Sequence, residues 1–430
     1  MGKRILIISH NPFSDYNNMG KTLSNLFCSF NDKDIAQLYF SPQNPNVKLG
    51  CKFYKITDMD MLKSCFGLKK YGGVVKPNNE EVLDDKPASI KEKLYALGSK
   101  KIPIVYLLRD AIWRQKAWFS ESLKKWINDF DPKIIFYASG DSGFSFKIAM
   151  KISDEMNIPL VTYFCDDFYF YSKPSISPFY YIYKSKIRKK IENTIKASLD
   201  LVFISNLMQQ EYYTTFKNHG HVVMTPSAKI LDKPIAVNNS PLVLSFIGNI
   251  VMRTDSLIQI GNIIEKINIK NEKINFNIYT NTSDMKLIKE IKSCRGIQYK
   301  GSLDFDGVRK EILNSDVILH VESFKTNLIS RTKHSISTKI PESLGLGRCI
   351  FAYGPSELAS IKYIDQQDAG FVCTHQKDLE SVLLKIIENE SLRKEYMIKG
   401  LKLASINHKG SVNSQKIKTI LNKSIKEDTE

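Results

Sequence analysis

The apolar residues of this chain fall in short unbroken runs, not in the every-other-residue pattern of a half-exposed sheet. Residues 3–9 (KRILIIS), 133–137, 160–164, 242–247, 274–279, 316–321 and 349–353 are such runs, each bounded by polar or turn-forming residues. Runs of that length and branching predict strands covered on both faces. Residues 36–40, 201–205, 222–226, 297–300 and 369–373 predict weaker strands. Between them lies helical spacing: 22–30, 144–156, 255–268, 284–293, 304–314 and 356–364, then 376–389, 391–404 and 411–425. Strand and helix alternating in both halves predict an α/β protein with two doubly wound parallel sheets facing one another across a cleft.

Residues 227–241 carry Pro234, Pro241 and Asn238-Asn239-Ser240 and read as a linker. The expected domains are 1–235 and 236–410, and 430 residues suit two cores of ordinary size. Residues 104–127 read as one helix that mixes Trp113, Trp118 and Trp126 with Arg109, Arg114, Lys116, Lys124 and Lys125. Its aromatics would pack in the core or meet a membrane. Residues 69–90, with Gly72-Gly73, Pro77 and Pro87, read as a mobile excursion.

Charge and cysteine content narrow the setting. Of the net +17, residues 1–235 hold a surplus of 11 cations and the remainder 6, so an anionic partner is expected against the first half. The seven cysteines include no CxxC pair, which argues against a disulfide framework or zinc knuckle. No signal-peptide pattern or long apolar span is seen, and the expected place is the cytoplasm, at most against the inner face of the cell membrane.

Several stretches carry candidate chemistry. Ser337 and Thr338 open a short helix whose Lys339 and Glu342, three apart, share a face. The free N–H groups of such a helix start suit a phosphate, and a carboxylate there can accept from a sugar diol. Pro341 fits its first turn, and Gly345 and Gly347 end it. Gly20 precedes Lys21-Thr22 like the end of a phosphate-binding loop, which would make the chain an ATPase, but Asp15 stands where that motif needs glycine. Gly20 would otherwise give a tight turn at a ligand or a plain turn. Asp141 follows the strand 133–137, and Asp166-Asp167 follow 160–164. They are candidates for a base, for acceptor hydroxyls or for a helix cap. Residues 168–190 (FYFYSKPSISPFYYIYKSKIRKK) join aromatics to six cations, five of them at Lys184, Lys186, Arg188, Lys189 and Lys190, which suits an anionic membrane surface, single-stranded nucleic acid or a solvated basic helix. Of these partners the membrane is the one expected, not nucleic acid.

The segments His320 to Phe324, Ser337 to Glu342, Gly347-Arg348 and Tyr353-Gly354-Pro355 together resemble the donor-binding segment of GT-B retaining glycosyltransferases of family 4, in particular the bacterial surface-polysaccharide branch. The resemblance implies transfer of a sugar from a nucleotide-sugar donor to a polysaccharide or lipid-linked acceptor, with retention and with no metal. It implies no cofactor, the nucleotide sugar being a substrate. Glu342 would hold the ribose, and the loop of Gly248, Asn249 and Arg253 the diphosphate, with Asn249 where the wider family often has arginine. The first carboxylate of the family's Glu-x7-Glu motif falls on His334, which leaves Glu322 as a candidate substitute. Asp166 or Asp167 would lie near the acceptor, and the terminal helix within 411–430 would return to the first domain. A sugar-nucleotide or glycan-binding protein of the same fold, without turnover, remains the alternative.

Overall fold

In the computed structural model, residues 4–15, 18–47, 50–67, 72–77 and 102–427 are described, and they form two sheets. The first contains β1 (Ile5–Ser9), β2 (Ile35–Tyr39), β3 (Lys52–Lys55), β4 (Gly73–Val75), β5 (Ile134–Ala138), β6 (Leu160–Phe164), β7 (Asp200–Phe203) and β8 (His221–Val222). Their spatial order is β4-β3-β2-β1-β5-β6-β7-β8, parallel except where β4 runs against β3 at the edge. The second contains β9 (Leu242–Ile247), β10 (Ile274–Tyr279), β11 (Gln298–Gly301), β12 (Val317–Val321), β13 (Cys349–Tyr353) and β14 (Phe371–Cys373). Its order is β11-β10-β9-β12-β13-β14, parallel throughout.

The unbroken apolar runs explain both sheets. Every residue of β1, β5, β6, β12 and β13 is buried, because helices cover each sheet on both faces. Each fully buried Ile, Leu, Val or Phe contributes about 1.5–3 kcal/mol. In the second sheet Leu244, Phe276, Leu319 and Phe351 share one core with Leu257, Ile260 and Ile264 of the helix Thr254–Ile267.

Both sheets reverse direction once. The chain builds outward from β1 through β2 and β3, then returns to set β5 on the other side of β1. It likewise builds from β9 through β10 and β11, then sets β12 beside β9. Crevices at the carboxyl ends of β1/β5 and β9/β12 are therefore the topological switch points, where doubly wound sheets bind ligands.

The chain divides into two compact units. One comprises Met1–Ile204, Gln209–Val223 and Ser414–Glu430, the other Ser205–Met208 and Met224–Asn413. The helix Gly410–Glu427 thus starts in the second unit and continues in the first.

Several expected elements differ. The first helix is Asn18–Leu26, four residues earlier than its apolar spacing implies. The expected helix 104–127 is two, Pro103–Ile112 and Glu121–Phe130, with a short turn at Lys116–Trp118 between them. The break has a tertiary cause: Trp113 caps the first piece and stacks on Phe144, ring centroids 4.0 Å apart, while Trp118 is buried at the end of the turn. Neither tryptophan is available to a membrane. The polar insert after β12 holds a helix, Thr326–Thr332, that its composition did not suggest. The helix expected at 356–364 is Ala359–Gln366. Most of the expected excursion at 69–90 lies outside the described residues, but within it Gly73–Val75 forms strand β4.

Candidate functional site

In the second unit the loop after β9 is short and tightly wound. Gly248 N–H donates to Tyr279 O, Val251 N–H to the Asn249 side chain, and Arg253 N–H to Ile250 O. This winding points Arg253 across the switch point at the end of β12. Its Nε donates to Val321 O at 2.8 Å and its Nη2 to Glu322 Oε1 at 2.6 Å, while Nη1 lies 3.4 Å from Asn249 O. Glu322 is 4% exposed, and its backbone carbonyl accepts from Ser256 Oγ in the helix that follows the loop. Burial lifts its carboxyl above the usual range, while Arg253 and the Thr332 hydroxyl hold it back. His320, one strand position earlier on the same face, has Nε2 3.7 Å from Glu322 Oε1. Burial, then Arg253, pushes its pKa down to about 3, so it is a neutral imidazole.

The short helix Lys339–Gly345 starts without a side-chain cap from Thr338, and Lys339 N–H lies 3.4 Å from Ser337 Oγ. Pro341 sits in its first turn. The helix stops at Gly345, whose added β-carbon would lie 2.4 Å from Ser227 Oγ, and Gly347 takes φ +62° just beyond. Lys339 Nζ and Glu342 Oε2 are 2.7 Å apart, both half-buried. His334 is buried, and its backbone oxygen accepts from Ser205 Oγ. The structure thus joins Arg253, Asn249 and Glu322 in one cluster and Lys339 and Glu342 in another.

In the first unit the switch point is also polar. Asp141 Oδ2 accepts from Tyr106 Oη at 2.8 Å, and its backbone oxygen accepts from Tyr183 Oη at 3.2 Å. Arg109 donates from Nε to Asp58 Oδ1 at 2.9 Å and from Nη1 to Ser142 Oγ at 2.8 Å, and Trp113 Nε1 shares that Asp58 oxygen. His10, directly after β1, is held neutral by burial and then by Arg109, its pKa down to about 4. Sequence reading missed His10, Arg109, Asp58 and Tyr106, because they come together from positions up to about 100 residues apart. The available signal was position: His10 ends the first strand, as Asp141 follows the fifth.

Two expectations change here. Gly20 lies inside the helix Asn18–Leu26, and a β-carbon on it would sit 2.3 Å from Pro12 O. Its glycine is needed for packing against the chain's own loop. The Met19–Thr22 stretch lies within that helix, and Asp15 before it stands where the ATPase motif needs glycine. Asp167 accepts the backbone N–H groups of Tyr169, Phe170 and Tyr171 at 2.9–3.0 Å and organises that turn, while Asp166 is exposed beside it.

The basic stretch sorts by burial along the helix Pro178–Ala197. Lys184 is buried with Nζ on Phe168 O, Lys190 is buried against Asp110, and Arg188 donates to Tyr169 O. Lys186 and Lys189 are exposed, as are Ile176, Phe179 and Ile182. Among the described residues no helix is long and apolar enough to cross a membrane, and no group of three or more His, Cys, Asp or Glu could hold a metal ion.

No family model matches the sequence, and no curated protein matches it in sequence. Solved structures do match in fold. Sucrose-phosphate synthase from Thermosynechococcus elongatus has a TM-score of 0.62 at 8% identity, covering 98% of this chain and 99% of that one. Anabaena HepE in complex with UDP and glucose gives 0.61 at 10%, covering 98% and 100%. The α,α-trehalose-phosphate synthase of Burkholderia xenovorans in complex with glucose 6-phosphate gives 0.59 at 9%, covering 97% and 100%. The chain has the α/β fold of the GT-B glycosyltransferases.

Proposed function

We propose that the chain is a glycosyltransferase that moves a sugar from a nucleotide-sugar donor to a hydroxyl of a polysaccharide or lipid-linked acceptor in cell-surface glycan synthesis. On this reading it is of the family 4, surface-polysaccharide type, with retention and no metal requirement. The observation that carries the reading is the second unit's switch point, where Arg253 and Glu322 meet at the ends of β9 and β12. The HepE and trehalose-phosphate synthase structures, whose ligands are UDP with glucose and a sugar phosphate, support the ligand class.

The donor diphosphate takes the remaining N–H groups of Arg253, which is pre-oriented by Glu322 and Val321 O. Developing charge on the leaving diphosphate is stabilised by Arg253 and Lys339. Lys339 donates to Glu342. When phosphate draws Lys339 over, the Glu342 carboxylate accepts from the ribose hydroxyls. Ser337, Thr338 and Gly248 line the same donor side, and Asp141 with Asp166 the acceptor side. Phe179 and Ile182, followed at helical spacing by Lys186 and Lys189, rest the first unit on an anionic bilayer that carries the acceptor.

The test is to incubate the purified chain with UDP-, GDP-, ADP- and CMP-sugars and measure released nucleotide and protection against thermal unfolding. Release and protection by one donor class is the expected result, and neither with any of them removes the reading. A second reading, binding without turnover, is favoured by buried His334 at the position the family fills with a carboxylate. It predicts protection with no nucleotide released.

A further inference from the structure

Between β12 and the helix Lys339–Gly345 the chain makes an insert, residues 323–338, that holds Lys325, Arg331 and Lys333 and no acidic residue. A carboxylate that steadies the insert has to come from elsewhere in the second unit. Two come from the same corner of it. Lys325, at the start of the helix Thr326–Thr332, forms an ion pair with Asp255. Thr332, at the other end, donates its hydroxyl to Glu322, the partner of Arg253. The helix is thus fastened at one end two residues beyond Arg253 and at the other to the carboxylate that Arg253 binds.

The two fastenings are unequal. Lys325 and Asp255 are 62% and 54% exposed, and a pair so open to water contributes little. Thr332 is half-buried and the Glu322 side chain is 6% exposed, so the hydroxyl's hydrogen bond to it is charge-assisted and shielded. Glu322 is also held from behind: a β-carbon on Gly354 would lie 3.0 Å from Glu322 Cβ. His320, 3.7 Å from its Oε1, is neutral and offers the carboxylate no charge. Arg253 and then Thr332 keep Glu322 ionised against the burial that favours its neutral form. The Arg253 side chain is 18% exposed, which leaves its guanidinium surface that a ligand can reach.

We propose that Thr332 is a positioning residue for Arg253: its hydroxyl fixes the Glu322 carboxylate, and the carboxylate fixes the guanidinium that receives the diphosphate. Thr332 itself touches no ligand. Without the hydroxyl the buried carboxylate has one donor fewer and takes up a proton more readily. A neutral Glu322 no longer holds the guanidinium in one plane for a bidentate grip on phosphate. The inference rests on the transferase reading only for what Arg253 binds.

Affinity of the full chain for UDP, GDP, ADP and CMP is measured by calorimetry. On the same variants the Arg253 Nε–H resonance is followed by NMR with 15N-labelled arginine, assigned with Arg253→Lys. Thr332→Val weakens binding of the nucleotide that binds by about tenfold, the scale of one hydrogen bond to a charged group, and speeds exchange of the Arg253 Nε–H with water. Thr332→Ser restores both, which a packing role for the methyl group would not require. In a Glu322→Gln background Thr332→Val adds less than a twofold further loss, because the hydroxyl acts through that carboxylate. Thr332→Ala carries the test if the valine variant fails to fold. Unchanged affinity, a loss that serine does not restore, or a full further tenfold loss in the Glu322→Gln background overturns the proposal. A chain that binds none of the four nucleotides loses the transferase reading. The positioning of Arg253 by Thr332 then stands if the Nε–H exchange quickens in Thr332→Val and recovers in Thr332→Ser, and falls if it does not.

Discussion

The two switch points use the same residue types in opposite ways. Each brings together a neutral histidine, a carboxylate and an arginine: His320, Glu322 and Arg253 in one, His10, Asp141 and Arg109 in the other. In the second unit arginine and carboxylate bind each other directly, and the glutamate is almost wholly buried. In the first, the arginine is held by a different, part-exposed carboxylate, Asp58, and Asp141 is steadied by a tyrosine. One crevice keeps its charge pair on a buried carboxylate, while the other pairs its arginine with a part-exposed one. The chemistry of a switch point is thus set by which element supplies the arginine's partner, more than by the residue types present.

The comparison is broken most directly by removing each arginine's partner. Glu322→Ala removes the charged partner of the part-buried Arg253 guanidinium and should cost about 1.5–3 kcal/mol in urea unfolding. Asp58→Asn, at a carboxylate 38% exposed, should cost about 1 kcal/mol or less. Equal costs would erase the distinction.

Acid should separate the units next. Both histidines stay neutral in the fold but protonate near pH 6.5 when unfolded, so the unfolded chain binds more protons below that pH. Stability therefore falls as pH drops from 6.5 toward about 4 for His10 and about 3 for His320. The loss is the larger for His320, whose pKa is displaced further. Glu322 runs the other way: its raised carboxyl takes up a proton in the fold before it does so unfolded, which adds stability as pH falls. Glu322 partly offsets the second unit's acid loss, but it stays in place in both variants, so His320→Gln should flatten the pH–stability curve more than His10→Gln, as followed by circular dichroism.

Glu342→Ala should weaken binding of the donor found in the panel by about 1.5–3 kcal/mol in calorimetry. Smallest is the surface effect: Lys186→Ala and Lys189→Ala should each remove about 1 kcal/mol of partitioning onto phosphatidylserine vesicles in a flotation assay. Lys184→Ala, at a buried lysine, should remove none.

The sheets were legible because a strand covered on both faces must be apolar throughout, and ILIIS, IIFYA, LVTYF and CIFAY can hardly be anything else. The short helix Lys339–Gly345 was legible because proline at its start and glycines at its end act locally. The break at Trp113 was not, since it depends on a ring contact with Phe144, thirty-one residues away. His10 was invisible for the same reason: its significance comes from Arg109, which no spacing rule connects to it. Gly20 misled because a glycine before Lys-Thr suggests a ligand loop, and only the nearby Pro12 carbonyl reveals what the missing side chain accommodates.

The contact between Lys339 and Glu342 has a consequence for selectivity. On the donor reading, a lysine and a glutamate that hold each other answer best to a ligand offering a partner to each. Free phosphate engages the lysine alone, and a bare nucleoside the glutamate alone. A ligand that carries both a phosphate and a vicinal diol engages both at once. The start of this helix should therefore favour intact nucleotides over the sum of their fragments.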